Sequence, residues 1–229
     1  MVSRIFPLER VHAALAATKT ESVRRRDLPS HVIVYEDIAL ALYMQSSYRE
    51  ALRCLLEGIQ CLAVPVAINV TGSSGISPAR TRLGWDPLRQ LHDEIVKPIA
   101  GAAKNGAWYR QWRLVSLDGG TLDVADEKGH DEAFGRPGSG KGAYPQIRFG
   151  SLVENCTHVL FGSRMADYST SEITLAKTIL VSLHKGMLCL ADRGFFGFEM
   201  WKAAAATGAD LLWRARKDFL LPCETRLPD

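Results

Sequence analysis

Hydrophobic positions recur at helical spacing in the first part of the chain and switch to strand-like spacing in the second. Helical character runs through residues 11–17. Residues 31–43 follow, with Val34, Ile38, Ala41 and Leu42 at helical intervals. Ser47 and Glu50 form a capping box that predicts a further helix with Ala51, Leu52, Leu55, Leu56 and Ile59 on one face. Residues 71–75 read as a break. Ser77-Pro78 then gives an N-cap and a first-turn proline, with Gly84 as the stop. Asp86-Pro87 opens another helix through about residue 98. Residues 101–106 are a small-residue linker, which places a domain boundary between 1–105 and 106–229.

After the linker, residues 112–124 alternate, with Leu114, Ser116 and Asp118 on one face and Val115 and Leu117 on the other. Residues 146–153 and 158–163 are two more extended runs, joined through Glu154-Asn155, a polar pair suited to a hairpin. Ser169 and Glu172 suggest a capping box for a helix that turns Ile173, Ala176, Leu180 and Leu183 inward. Five uninterrupted apolar residues, 187–191, then predict a strand covered on both faces. A helix over 198–207 ends at Gly208, and 211–215 is a last strand.

Three strands, then helix, strand, helix, strand is the element order of a ribonuclease-H-like fold. The expected architecture is α/β (α+β): an N-terminal helical domain followed by an incomplete ribonuclease-H-like mixed-sheet domain. In that arrangement the first and fourth strands are neighbours, and they carry Asp118 and Asp192. Asp192 alone, directly after the 187–191 run, fits the N-cap of the next helix as well as a functional carboxylate. Its expected neighbour Asp118 favours the second role. Paired carboxylates on adjacent strands suit hard divalent cations, and two such ions stabilise attacking and leaving oxygens in phosphoryl transfer.

Composition refines this picture only slightly. Hydrophobic residues make up 47% and charged residues 23%, an ordinary globular balance. The net charge of +3 is uneven: residues 1–110 hold 14 Lys/Arg against 10 Asp/Glu, and the remainder 14 against 15. The basic excess lies in the helical half, a weak pointer to nucleic acid. Helix, tight turn, helix over 77–98, with Arg80 and Arg82 on the short element, is compatible with a DNA-contacting helix-turn-helix and equally with a solvated bundle. The run Arg24-Arg25-Arg26 is a second cationic candidate. Five cysteines without CxxC spacing suit a reducing compartment. No apolar run reaches the roughly 20 residues that span a bilayer, and no leader is evident, so a cytosolic protein without membrane contact is expected.

Some features imitate sites. Residues 135–141 spell GxxxxGK, yet Gly142 stands where the magnesium-binding Ser/Thr of a P-loop belongs, and Asp131 to Phe134 reads as polar and irregular. A loop touching phosphates through Arg136 and Lys141 is the better reading. Asp123, Asp126, Asp131 and Glu132 read as solvated turn residues. His158 and His184 are not required as bases where metal ions activate the nucleophile. Arg193 suits a phosphate, the Asp192 carboxylate, or a plain turn.

Three blocks carry a family resemblance: Leu117-Asp118-Gly119-Gly120-Thr121-Leu122-Asp123-Val124, Phe134-Gly135-Arg136-Pro137-Gly138-Ser139, and Ala191-Asp192-Arg193-Gly194-Phe195-Phe196-Gly197. They resemble successive blocks of bacterial insertion-sequence transposases of the DDE type (the insertion sequence four family). Tyr48-Arg49-Glu50-Ala51-Leu52-Arg53 and Ala79-Arg80-Thr81-Arg82-Leu83-Gly84 resemble that family's N-terminal domain. The resemblance implies Asp118 and Asp192 as the first two acids and metal ligands of the triad. It also implies two Mg²⁺ (or Mn²⁺) ions, and cleavage and strand transfer on double-stranded DNA at transposon ends and target. A homodimeric synaptic complex and a cytoplasmic, nucleoid-associated setting go with it. The family's third acid is a Glu within a Tyr-x2-Arg-x3-Glu-x6-Lys block, which the sequence does not contain before Asp229. Glu224 lacks the required neighbours. The expectation is a truncated transposase with little or no cleavage, or a non-catalytic remnant that occupies ends.

Overall fold

The structure is a computed structural model that describes residues 2–22, 28–43, 45, 47, 50–51, 53–55, 75–138 and 143–218. The arginine run at 24–26, most of the apolar face expected beyond Ser47, and the break at 71–74 lie outside the described residues. The chain divides into two compact units, Met1–Ile95 and Val96–Asp229.

The first unit is helical. Its described helices are α1 (Val2–Ile5), α2 (Leu8–Ala17), α3 (Ser30–Leu42), α4 (Ile76–Leu83) and α5 (Asp86–Ile95). On α2, Val11, Ala14 and Leu15 share one face by i, i+3, i+4 spacing and are fully buried against α3 residues such as Val32 and Val34. The Tyr35 hydroxyl donates to the Phe6 carbonyl (2.6 Å), tying α3 to the chain between α1 and α2. The capping features are partly as expected. The Glu50 amide donates to Ser47 Oγ (3.3 Å), but the Glu50 carboxylate accepts from Arg53 instead of reaching back. Helix α4 starts at Ile76, so Ser77 lies inside it and its carbonyl accepts from Thr81. Gly84 stops α4 with φ of +68°, a left-handed conformation that favours glycine.

One residue of this core is out of keeping with it. Glu36 on α3 is fully buried, and neither carboxylate oxygen has a hydrogen-bond partner among the described residues. Burial, and then the neighbouring Asp37, push its pKa up to about 7, with Arg80 opposing. A carboxyl whose folded pKa exceeds its unfolded value stabilises the fold below the unfolded pKa. That contribution is lost as pH rises through the folded one. The first unit will therefore weaken between about pH 4.5 and 7, by on the order of 3 kcal/mol. Thermal melts across that range check it, and Glu36→Met will flatten the dependence. An unchanged pH profile in the variant would contradict the assignment.

The second unit is a mixed sheet with helices packed on it. Its elements are β1 (Trp108–Tyr109), β2 (Trp112–Asp123), α6 (Lys128–Phe134), β3 (Gln146–Glu154), β4 (Leu160–Asp167), α7 (Glu172–Ile179), β5 (Met187–Ala191), α8 (Phe198–Ala205) and β6 (Asp210–Trp213). The sheet order is β4-β3-β2-β5-β6, with β1 paired to β2. β2 runs antiparallel to β3 and parallel to β5, and β5 runs parallel to β6. Counted from β2, the order 3-2-1-4-5 is that of the ribonuclease-H-like fold, as expected. Val115 and Leu117 of β2 and Met187 and Cys189 of β5 are buried together with Ile179 of α7 and Met200 and Ala204 of α8. No described helix is long and apolar enough to cross a membrane.

Several local expectations are corrected. Residues 128–134 are helical, not irregular. α6 carries an i, i+4 pair between Lys128 and Glu132 (3.6 Å) and ends at Gly135, φ +74°. Strand β4 begins at Leu160, because Cys156 and His158 take positive φ and prolong the turn. Ser171, not Ser169, caps α7 by accepting from the Thr174 amide (3.1 Å), while Asp167 holds the Ser169 and Thr170 amides in the preceding turn. Ile173 is then 37% exposed, and Leu175, Ala176 and Ile179 face inward.

Glu154 is the largest surprise. It is fully buried at the end of β3, not a turn residue. It accepts from the amides of Ile99 (2.9 Å) and Ala100 (3.0 Å), from Thr157 Oγ1 (2.5 Å), and from Arg113 in a close ion pair. Arg113 in turn lies over the Trp108 ring at 4.6 Å. This knot draws residues 96–100 into the second unit, ahead of the 101–106 linker.

Candidate functional site

Asp118 sits within β2, on the face opposite Val115 and Leu117. Asp192 follows the last residue of β5. The parallel register pairs Leu117 with Ala191, the residues directly before Asp118 and Asp192, so each aspartate follows from one and the same paired position. Parallel register keeps in-step side chains on one face, with strands roughly 4.8 Å apart. Both aspartates are exposed.

Each carboxylate is oriented by a glycine amide. The Gly119 N–H donates to Asp118 Oδ1 (2.8 Å) and the Gly194 N–H to Asp192 Oδ1 (2.6 Å). A side chain at 119 would run into main chain, and one at 194 would crowd the Asp192 carboxylate itself. A Cβ at 194 would stand 2.9 Å from Asp192 Oδ1, and one at 119 would stand 2.8 Å from the Phe149 carbonyl oxygen on β3. Asp192 accepts at its main-chain oxygen from Phe195 (3.3 Å), whose buried ring fixes the turn in the core. Helix α8 has Gly197 at its N-cap, so Asp192 does not cap it. The carboxylate is left for other work. Neither glycine role was read from the sequence, although glycine directly or two residues after each aspartate was its trace.

Glu172 lines a small recess that also touches Asp118, but its carboxylate accepts from Arg148 (3.1 Å). Among the described residues no set of three His, Cys, Asp or Glu side chains comes together in metal-binding geometry. Asp118 and Asp192 are nonetheless hard, exposed oxygen donors of the kind that Mg²⁺ or Mn²⁺ takes.

The cationic candidates divide. Arg80 pairs with Asp37 (2.6 Å). Arg136 bonds Asp126 (2.7 Å), Asp131 (2.8 Å) and the Ala143 carbonyl (2.7 Å), clasping the loop around α6. The hydrogen bonds that Arg136 donates to Asp126 and then Asp131 push its pKa up. Two members of the acidic group are thus partners of an arginine. Asp123 accepts from Gln146 (2.7 Å). Arg82 and Arg193 are exposed, Arg193 in the turn beside Asp192, and Lys141 lies outside the described residues.

Residues 1–93 match the family described as insertion element 4 transposase N-terminal. The chain is 23% identical over 210 residues to Transposase InsG for insertion sequence element IS4 of Escherichia coli (strain K12), covering 90% of this chain and 46% of that protein. It is 22% identical over 212 residues to Putative transposase InsZ of the same organism, covering 91% of this chain and 68% of that protein. The chain thus spans about half of one relative and two thirds of the other.

Proposed function

We propose that the chain is a member of the insertion element 4 transposase family that acts on DNA at transposon ends, on the strength of the match over residues 1–93 and the two similar transposases. In this reading Asp118 and Asp192 are the first two metal-binding acids of the reaction centre and the helical unit engages the ends. The observation that supports it is the pairing of Leu117 with Ala191 on the parallel neighbours β2 and β5, the residues from which Asp118 and Asp192 directly follow. Bound divalent cations would supply charge stabilisation for attacking and leaving oxygens of a phosphodiester. The chain's own part is to hold the two carboxylates rigidly. β2 does so for Asp118 by its ladder on both sides, and the Phe195 anchor does so for Asp192. Arg193, in the exposed turn beside Asp192, would meet a DNA phosphate approaching that carboxylate, and Arg82 is an exposed arginine of α4.

A second reading is occupancy of ends without cutting. What favours it is that no set of three His, Cys, Asp or Glu side chains comes together in metal-binding geometry among the described residues. Two carboxylates hold two cations weakly, so strand cleavage by this 229-residue chain is expected to fall by orders of magnitude relative to a three-acid centre or to be absent. A Mg²⁺-dependent nicking assay on end-containing DNA, run beside a gel-shift titration at matched salt, separates the two. Robust nicking would remove the second reading. Equal affinity for ends and random DNA would count against both.

A further inference from the structure

The β1–β2 hairpin carries the sequence Trp108-Tyr109-Arg110-Gln111-Trp112-Arg113, arginines interleaved with aromatics. Tyr109 pairs with Trp112 across the hairpin. Their rings lie nearly parallel, 11° apart with centroids at 6.3 Å, and Tyr109 is 52% exposed. Arg110 stands over the Tyr109 ring at 5.5 Å.

Arg110 also has φ of +54° at the first position of a two-residue turn. Turn physics favours glycine, asparagine or aspartate there, so local stability does not account for an arginine. An unfavourable conformation retained at an exposed cation points outward, to a ligand. Other cations lie at the same end of the sheet. Lys104 precedes the hairpin. Lys185 stands just before Gly186, whose carbonyl accepts from the Arg113 amide, which places it beside the start of β2. Of the acids at this end, Glu154 is buried against Arg113, and Asp210 stands farther off on edge strand β6.

We propose that the surface formed by Tyr109, Trp112, Arg110, Lys104 and Lys185 is a DNA-binding site in its own right, taking an exposed base on the aromatic pair and phosphates on the cations. Stacked rings beside cations are how sequence-tolerant nucleic-acid surfaces are built. Trp112 shares the face of Asp118 six residues along β2, roughly 20 Å away at strand rise. The site would therefore hold DNA flanking the segment at the two aspartates. It rests on the reading of the chain as a DNA-processing protein.

The test is anisotropy of labelled mixed-sequence 20-mers, single-stranded and duplex, titrated with the 229-residue chain over a salt series. Arg110→Asn is the decisive variant, because asparagine tolerates the positive φ and keeps the turn. It is expected to weaken binding about three- to tenfold and lower the salt slope by about one, with the thermal melt unchanged or raised. Lys185→Gln is expected to do the same without touching the hairpin. Tyr109→Ser is expected to cost about tenfold on single strands and less on duplex. Unaltered affinity and slope in both charge variants overturn the proposal. Persistence of the Arg110→Asn loss in an Asp118→Asn, Asp192→Asn background supports it independently of the aspartate pair. No DNA binding by the unaltered chain would overturn the DNA reading and this surface together.

Discussion

Glu154→Ala is expected to destabilise the second unit by about 3–5 kcal/mol, the cost of removing one partner of a buried ion pair. The loss has three parts. Arg113, only 18% exposed at its side chain, keeps a charge with no carboxylate beside it. The Ile99 and Ala100 amides lose their acceptor, and Thr157 loses the oxygen that holds the β3–β4 turn. Glu154→Gln is expected to fall between, since an amide oxygen still accepts but cannot balance Arg113. The pH dependence has a definite sign. Burial works to raise the Glu154 pKa, but bonds from Thr157, Ile99, Ala100 and Arg113 outweigh it and hold the group below its ordinary value. Stability from a depressed carboxylate is present above the unfolded pKa and lost as pH falls through the folded one. The second unit will thus weaken in acid, whereas Glu36 weakens the first unit as pH rises toward 7. Denaturant melts of the wild type and both variants between pH 3 and 8 check the two trends. A Glu154→Ala loss under 1 kcal/mol would show that the knot contributes little.

The second large effect concerns the aspartate pair. Asp118→Asn and Asp192→Asn are each expected to reduce divalent-cation affinity at this site by at least tenfold. Each removes one of two charged donors, and amide oxygens are poorer ligands for hard cations. Folding is expected to be little changed, because both side chains are exposed and each retains an oxygen able to accept the glycine amide. Mn²⁺ is a suitable probe, being hard, oxygen-seeking and paramagnetic.

Much of the sheet was legible because its cues are strong. The alternation around Val115 and Leu117 and the run 187–191 mark strands whatever surrounds them. The order of elements then made β2 and β5 neighbours, and their register pairs Leu117 with Ala191, directly before Asp118 and Asp192. What escaped depended on partners distant in sequence. Glu154 reads as a turn residue beside Asn155. Only Arg113, 41 residues earlier, and the amides of Ile99 and Ala100 make it a buried node. Arg136 and Arg80 read as phosphate contacts, and nothing local in the sequence announces the ion pairs they make with Asp126, Asp131 and Asp37. Helix α6 buries none of its seven residues and has its only apolar side chains, Ala133 and Phe134, adjacent at its end, so no hydrophobic period announced it. The shift of the α7 cap from Ser169 to Ser171 is a competition between neighbouring hydroxyls. Asp167 decides it by binding the Ser169 and Thr170 amides first.

The most direct test follows the two glycine amides that orient the aspartates. Mn²⁺ titrated into isotopically labelled protein is expected to broaden the Gly119 and Gly194 resonances together, at the same metal concentration and ahead of the rest of the sheet. Asp192→Asn is expected to abolish the broadening at both positions, including Gly119 on the other strand. Broadening of one amide without the other, or broadening at both that survives Asp192→Asn, would show that Asp118 and Asp192 do not share a cation.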